Sequence, residues 1–161
     1  MQTSSTKRSI GCIGKCTTGL SNQELDHITD NIHRTLTHSK GVEIFKRYLK
    51  RQNLRDNLDC LHLYLTCAEY INQDKRSVNS QEYVETLAEN VTNVRDLAED
   101  IEGVPAIDKE LMQRFNEVLI SESRSDMIGI LEDTRDRMRD HLRLIHESFK
   151  RYASEPCPMT K

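Results

Sequence analysis

"GVEIFKRYLKRQNLRDNLDCLHLYLTCAEY", residues 41–70, sets one polar corner, QNLRDNLD, between two apolar helical patterns. Before the corner, Val42, Ile44, Phe45, Tyr48 and Leu49 recur at helical spacing. After it come Leu58, Leu61, Leu65 and Cys67, joined by Leu63 and Tyr64, so that more than half of that helix's circumference is apolar. Such a helix belongs at the centre of a bundle. Asn57 sits in the corner between two acids, Asp56 and Asp59. It can cap a helix starting at Leu58, because its side-chain oxygen accepts from a free first-turn N–H. A cap is the simpler reading of the residue taken alone; the alternative is a polar contact offered to another protein.

The flanking segments repeat the helical pattern. Ser21-Asn22-Gln23-Glu24 reads as a capping box, and Leu25, Ile28, Ile32 and Leu36 follow at spacings of three and four. Ser39-Lys40-Gly41 is expected to end that helix. Asn72 to Ser80 reads as a polar connection, with Asn79 and Glu82 starting a helix that carries Tyr83, Leu87, Val91, Val94, Leu97 and Ile101. Gly103-Val104-Pro105 breaks it, and Asp108 caps the next, which holds Leu111, Phe115, Val118 and Leu119. Ser121 to Ser125 is a turn. A long final helix carries Ile128, Leu131, Met138, Leu142, Ile145 and Phe149. No stretch alternates with period two, so no strand is expected. The expected fold is an all-α, single multi-helix bundle over residues 21–153, with flexible tails at 1–20 and 154–161.

Composition narrows the function. The 161 residues carry 23 Lys and Arg against 26 Asp and Glu, a net charge of −3. That leaves no overall basic field for a phosphate backbone, so nucleic acid is not an expected partner. No apolar run approaches the roughly 20 residues of a membrane span. MQTSSTKRSIGCIGKCTTG lacks the apolar stretch of a secretory signal. The five cysteines have no paired spacing, and Cys60 and Cys67 lie within an apolar helical pattern as small hydrophobes. A reducing, cytoplasmic setting follows.

No residue pattern supports chemistry of the chain's own. There is no glycine-rich phosphate loop, nucleophile elbow or His-Glu-x-x-His. Cys12 and Cys16 with His27 and His33 do not have finger spacing, so no metal is expected. The six histidines read as solvated surface residues. Cys12 and Cys16, beside Lys7, Arg8 and Lys15, are candidate acylation sites; two lipid signals with basic neighbours suffice for peripheral membrane attachment.

Two segments carry a resemblance. Gly41, Phe45, Tyr48 and Leu49 match the Gly and Phe-x-x-Phe-Leu that open the regulator of G-protein signalling (RGS) domain. Cys67, Glu69 and Tyr70 match the Cys-Glu-x-Phe that closes its next helix. Near the C-terminus, Glu147-Ser148-Phe149-Lys150-Arg151-Tyr152 is similar to the family's acid, Ser, aromatic, any residue, Arg, aromatic. The resemblance runs from about Leu36 to Ala153 and implies a nine-helix all-α bundle. Aligned forward from Phe45, the family's loop Asn falls on Asn57; aligned backward from Cys67, it falls on Cys60. Asn57 keeps acids on both sides, as the family does. The usual Trp is absent, a second polar loop position falls among Val104, Pro105 and Ala106, and Arg143 stands where Leu is usual.

The resemblance implies a monomeric regulator without catalytic groups or cofactor. It would bind a GTP-bound G-protein α subunit and hold its switch regions in their transition-state shape, so accelerating GTP hydrolysis and attenuating signalling. The α subunit brings its own Arg and Gln to the chemistry, and only binding that tightens in the transition state raises the rate. Asp56, Asn57, Asp59, Glu147, Ser148 and Arg151 are the implied contact residues. Glu147 and Arg151, four apart on a helix, share a face, and Arg151 is expected to fix Glu147 as an acceptor. The implied location is the cytoplasm, with recruitment to the inner face of the plasma membrane. The alternative implied is an RGS-homology interaction or scaffold domain that does not accelerate hydrolysis.

Overall fold

The computed structural model describes residues 19–76 and 81–155. Seven helices account for most of them: α1 (Asn22–Thr29), α2 (Ile32–Thr37), α3 (Ser39–Arg51), α4 (Arg55–Arg76), α5 (Gln81–Glu99), α6 (Lys109–Ser121) and α7 (Arg124–Ser154). No strand occurs among the described residues, as the absence of period-two patterning predicts. Contacts group the chain into two compact units. One comprises the residues up to Leu58 together with Leu142 onward, and the other runs from Asp59 to His141.

In the first unit, the capping box at Ser21 forms as expected. Its Oγ accepts from the Glu24 N–H at 3.1 Å, and the Glu24 carboxylate accepts from the Ser21 N–H at 3.0 Å. The stripe Leu25, Ile28, Ile32 and Leu36 is buried throughout. It does not lie on one helix, however. Asn31 is extended (φ −147°), and its side-chain oxygen accepts from the Arg34 N–H at 2.9 Å, so it caps a new helix, α2. An Asn that can satisfy a first-turn N–H competes locally with helix continuation.

Gly41 also departs from expectation. It does not end a helix; α3 starts at Ser39, where His38 Nδ1 accepts from the Lys40 N–H at 3.1 Å. Gly41 lies buried inside α3, and a Cβ there would run into the Thr35 carbonyl and stand 2.8 Å from Ile28 Cγ2. The missing side chain lets α3 approach the α1–α2 segment closely. Ile44, Phe45, Tyr48 and Leu49 then bury the inner face of α3. From α7, Leu142, Phe149 and Ala153 are buried in the same unit.

The second unit takes its core from the remaining helices. Cys60, Leu61, Leu63, Tyr64, Cys67 and Ile71 are buried along α4, which extends to Arg76 rather than stopping at Asn72. Leu87, Val91 and Val94 on α5, Leu111 and Phe115 on α6, and Leu131 and Met138 on α7 are buried as their spacing predicts. The proposed helix start at Asn79 lies outside the described residues. Gly103 (φ +77°) follows the end of α5, and Asp108 caps α6 by accepting from the Leu111 N–H at 2.8 Å. Glu122 closes α6 in the left-handed conformation. Burial pushes the Cys67 thiol up to about 12, so it stays a neutral core group.

Candidate functional site

The corner between α3 and α4 is a Schellman turn. Asn53 N–H donates to the Lys50 carbonyl at 3.1 Å and Leu54 N–H to the Leu49 carbonyl at 2.9 Å. Asn53 adopts φ +56°, a left-handed conformation that Asn tolerates better than most residues. The corner residue is therefore Asn53. Asn57 is not the N-cap expected of it: α4 begins at Arg55, and the Leu58 N–H already donates to the Leu54 carbonyl at 3.0 Å. The sequence places the start three residues late because Arg55, Asp56 and Asn57 are polar first-turn residues that carry no apolar stripe.

Asn57 is half-buried in that first turn, while Asp56 and Asp59 are exposed. Among the described residues, none of these three side chains makes a hydrogen bond or ion pair. Asp56 stands where the α4 dipole favours a carboxylate. Asp56 and Asn57 belong to the same compact unit as Glu147, Ser148 and Arg151, and Asp59 opens the other.

The C-terminal segment splits along helical lines. Phe149 turns inward and is fully buried, whereas Glu147 and Arg151 are exposed and Ser148 is half-buried. Phe149 packs at 4.8 Å from Phe45 and 5.6 Å from Tyr48, and Tyr152 at 5.1 Å from Tyr48. Such tilted and edge-on pairs contribute about 0.5–1.5 kcal/mol each beyond their burial. Burial and the neighbouring Tyr152 push the Tyr48 phenol up, while Arg151 and a hydrogen bond with Ser148 act the other way.

Arg151 does not serve Glu147 as expected. Its Nη2 donates to Ser148 Oγ at 3.5 Å, and no ion pair joins it to Glu147 among the described residues. Both side chains are exposed there, where an i, i+4 pair is worth only about 0.3–0.5 kcal/mol.

His146, read as solvated, is 5% exposed. Thr35 Oγ1 donates to the Ile28 carbonyl at 2.8 Å and stands 2.8 Å from His146 Nε2. Since the hydroxyl proton is already committed to Ile28, Nε2 must carry the proton it donates to Thr35. The ring lies edge-on to Phe45 (6.1 Å) and tilted to Phe149 (5.5 Å). A depression of about 480 Å³ on the same unit is lined by Asp30, Asn31, His33, Arg143, His146 and Glu147, with Ile32. No local signal marks His146 as buried; its partner lies 111 residues away in sequence.

In the other unit, the segment after α5 is tied down by Arg137. Its Nη1 donates to the Ala106 carbonyl at 3.0 Å and lies 3.6 Å from the Asp108 carboxylate. Its Nε is 3.3 Å from Asp133, which Arg114 also meets at 2.6 Å. Burial pushes the Asp133 carboxyl up, but the two guanidiniums outweigh it and hold it below the ordinary range. Pro105 is exposed beside this anchor.

Cys12 and Cys16 lie outside the described residues. Among the described residues, no group of three His, Cys, Asp or Glu side chains is placed to hold a metal ion, and no helix is long and apolar enough to cross a membrane. No protein-family model, curated protein or solved structure matches the chain.

Proposed function

We propose that the chain is an RGS-like module that binds the switch regions of a GTP-bound G-protein α subunit and accelerates its GTP hydrolysis, so attenuating signalling. One observation carries the reading. Two segments far apart in sequence, those that resemble the family, pack their aromatic residues on one another through Phe45, Tyr48, Phe149 and Tyr152. The polar residues of the second segment, Glu147 and Arg151, are left exposed. Core-building and partner-facing residues thus separate along one helix. Asp56, Asn57, Asp59, Glu147, Ser148 and Arg151 are the contact residues of this reading. Each tenfold of acceleration requires about 1.4 kcal/mol of extra transition-state binding, which a few polar contacts supply. The module works as a monomer in the cytoplasm, and acylation at Cys12 and Cys16 brings it to the inner face of the plasma membrane.

Single-turnover GTP hydrolysis by a panel of purified α subunits, with and without this protein, tests the reading. Acceleration of at least about tenfold for one subunit is expected. No change for any subunit, with the protein folded, overturns it. A second reading, an RGS-homology scaffold that binds without accelerating, is favoured by Arg151 turning to Ser148 instead of Glu147 and by exposed Pro105 at a position usually polar. Binding of an α subunit without acceleration would select it.

A further inference from the structure

The chain as a whole is acidic, yet residues 40–55 hold six cations, Lys40, Lys46, Arg47, Lys50, Arg51 and Arg55, against the single carboxylate of Glu43. The structure arranges most of them on one side of α3. Ile44, Phe45, Tyr48 and Leu49 take the buried arc. Lys46 and Lys50 form one i, i+4 row on the outer arc, and Arg47 and Arg51 form the next. Lys46, Lys50 and Arg51 are exposed, as is Arg55 just past the Schellman corner. The one acid is already neutralised: Glu43 lies 2.9 Å from Arg47 and 3.7 Å from Lys40. Among the described residues, neither Lys46 nor Lys50 has a carboxylate within ion-pair distance.

Helix electrostatics accounts for part of this pattern. Lys50 and Arg51 occupy the last turn of α3, where the dipole favours cations. It does not account for Lys46 or Arg47 farther back, and it opposes Arg55, the first residue of α4, where a cation meets the positive end of the dipole.

We propose that this outer face of α3 adsorbs to the anionic headgroups of a lipid surface. The face is a row of long, mobile cationic chains along one straight helix. That geometry suits a fluid layer of negative charge better than an acidic peptide, which needs acceptors in fixed register. Each Lys or Arg near an anionic surface strengthens adsorption about fivefold, so several together hold a protein there without inserted apolar groups. Adsorption requires no α subunit and no acyl chain, and it is separable from the GTPase reading.

The test uses the full chain carrying Cys12→Ser and Cys16→Ser, so that no acyl group contributes. Co-sedimentation is measured with vesicles of phosphatidylcholine alone and of phosphatidylcholine with phosphatidylserine at about 7:3. Binding to the mixed vesicles only, weakening steeply as salt rises, is expected. Lys46→Glu with Lys50→Glu should weaken it at least about twentyfold. Lys75→Glu with Lys109→Glu, an equal change of net charge on exposed residues elsewhere, should leave it within about twofold. Circular dichroism confirms that each variant is folded. Three outcomes overturn the proposal: no vesicle binding, equal loss in both double variants, or binding to immobilised polyglutamate without binding to vesicles, which assigns the face to an acidic protein.

Discussion

Two glycines inside helices provide a matched pair that tests the packing of the first unit. An Ala in mid-helix is favoured over Gly by about 1 kcal/mol, because Gly loses more backbone freedom on folding. At Gly129, on α7, an added Cβ meets nothing within 4 Å, so Gly129→Ala should gain about 0.5–1 kcal/mol. At Gly41 the same methyl group would overlap the Thr35 carbonyl and press on Ile28 Cγ2 at 2.8 Å. The first of these is backbone and cannot rotate aside. Thr35 is also committed through its hydroxyl to the Ile28 carbonyl and to His146, so moving it disturbs both bonds.

Overpacking of this kind costs about 1–3 kcal/mol. With backbone involved, the upper part of that range applies. Set against the propensity gain, Gly41→Ala should lose about 1–2 kcal/mol net. For a chain of this size that is a fall in melting temperature of about 2–8 °C, while Gly129→Ala should rise by about 1–4 °C. Thermal and urea unfolding followed by far-ultraviolet circular dichroism measure both. If Gly41→Ala is as stable as the wild type, or both variants shift the same way, the close approach of α3 to Thr35 is wrong.

Asn57→Ser should leave stability within about 0.5 kcal/mol, because no side-chain hydrogen bond is lost, and should cut stimulated GTP hydrolysis at least about tenfold. Full stimulation in that variant would refute Asn57 as the contact. Cys60 is fully buried, so Cys60→Ala, the control for the other register, should cost packing and leave stimulation unchanged. At the corner, Asn53→Ala should cost about 1–2 kcal/mol for its left-handed backbone, and Asn53→Gly should cost nothing; equal melting temperatures would contradict the Schellman turn. His146 supplies a pH dependence. Burial, opposed by Glu147 and Asp30 and assisted by Lys150 and Arg143, holds its imidazole below the ordinary 6.5. The neutral ring is thus the form that folding favours, and its contribution is complete above 6.5 and lost as pH falls through that value toward the lower folded one. The stability difference between wild type and His146→Gln should shrink as pH falls below about 7, and a constant difference would contradict the burial of a neutral ring.

The apolar stripes were legible because helix burial writes itself into spacing. Leu25, Ile28, Ile32 and Leu36, then Leu87, Val91 and Val94, lie inside as their intervals require. The stripe cannot report an interruption that leaves the buried face in register, so the cap at Asn31 escaped it. Gly41 reads as a stop because glycine disfavours helices locally, yet its purpose is set by Thr35, a neighbour in space. His146 reads as surface because a lone polar residue carries no sign of the hydroxyl that satisfies it. The apolar half of the candidate site was legible for the same reason as the core, since Phe45 and Phe149 must pack on something.

The polar half was not, because an exposed side chain leaves no periodic mark in the sequence and little packing in the fold. Here the corner supplies the sharper argument. Asn53 does the conformational work of the turn, and the Schellman bonds satisfy the end of α3. Among the described residues, Asn57 caps nothing and makes no side-chain hydrogen bond. It is also a weaker helix former than the Glu, Lys or Ala that a first or second turn would accept. With no bond of the fold resting on its carboxamide, Asn57→Ser is the change that separates the proposed contact from a structural role.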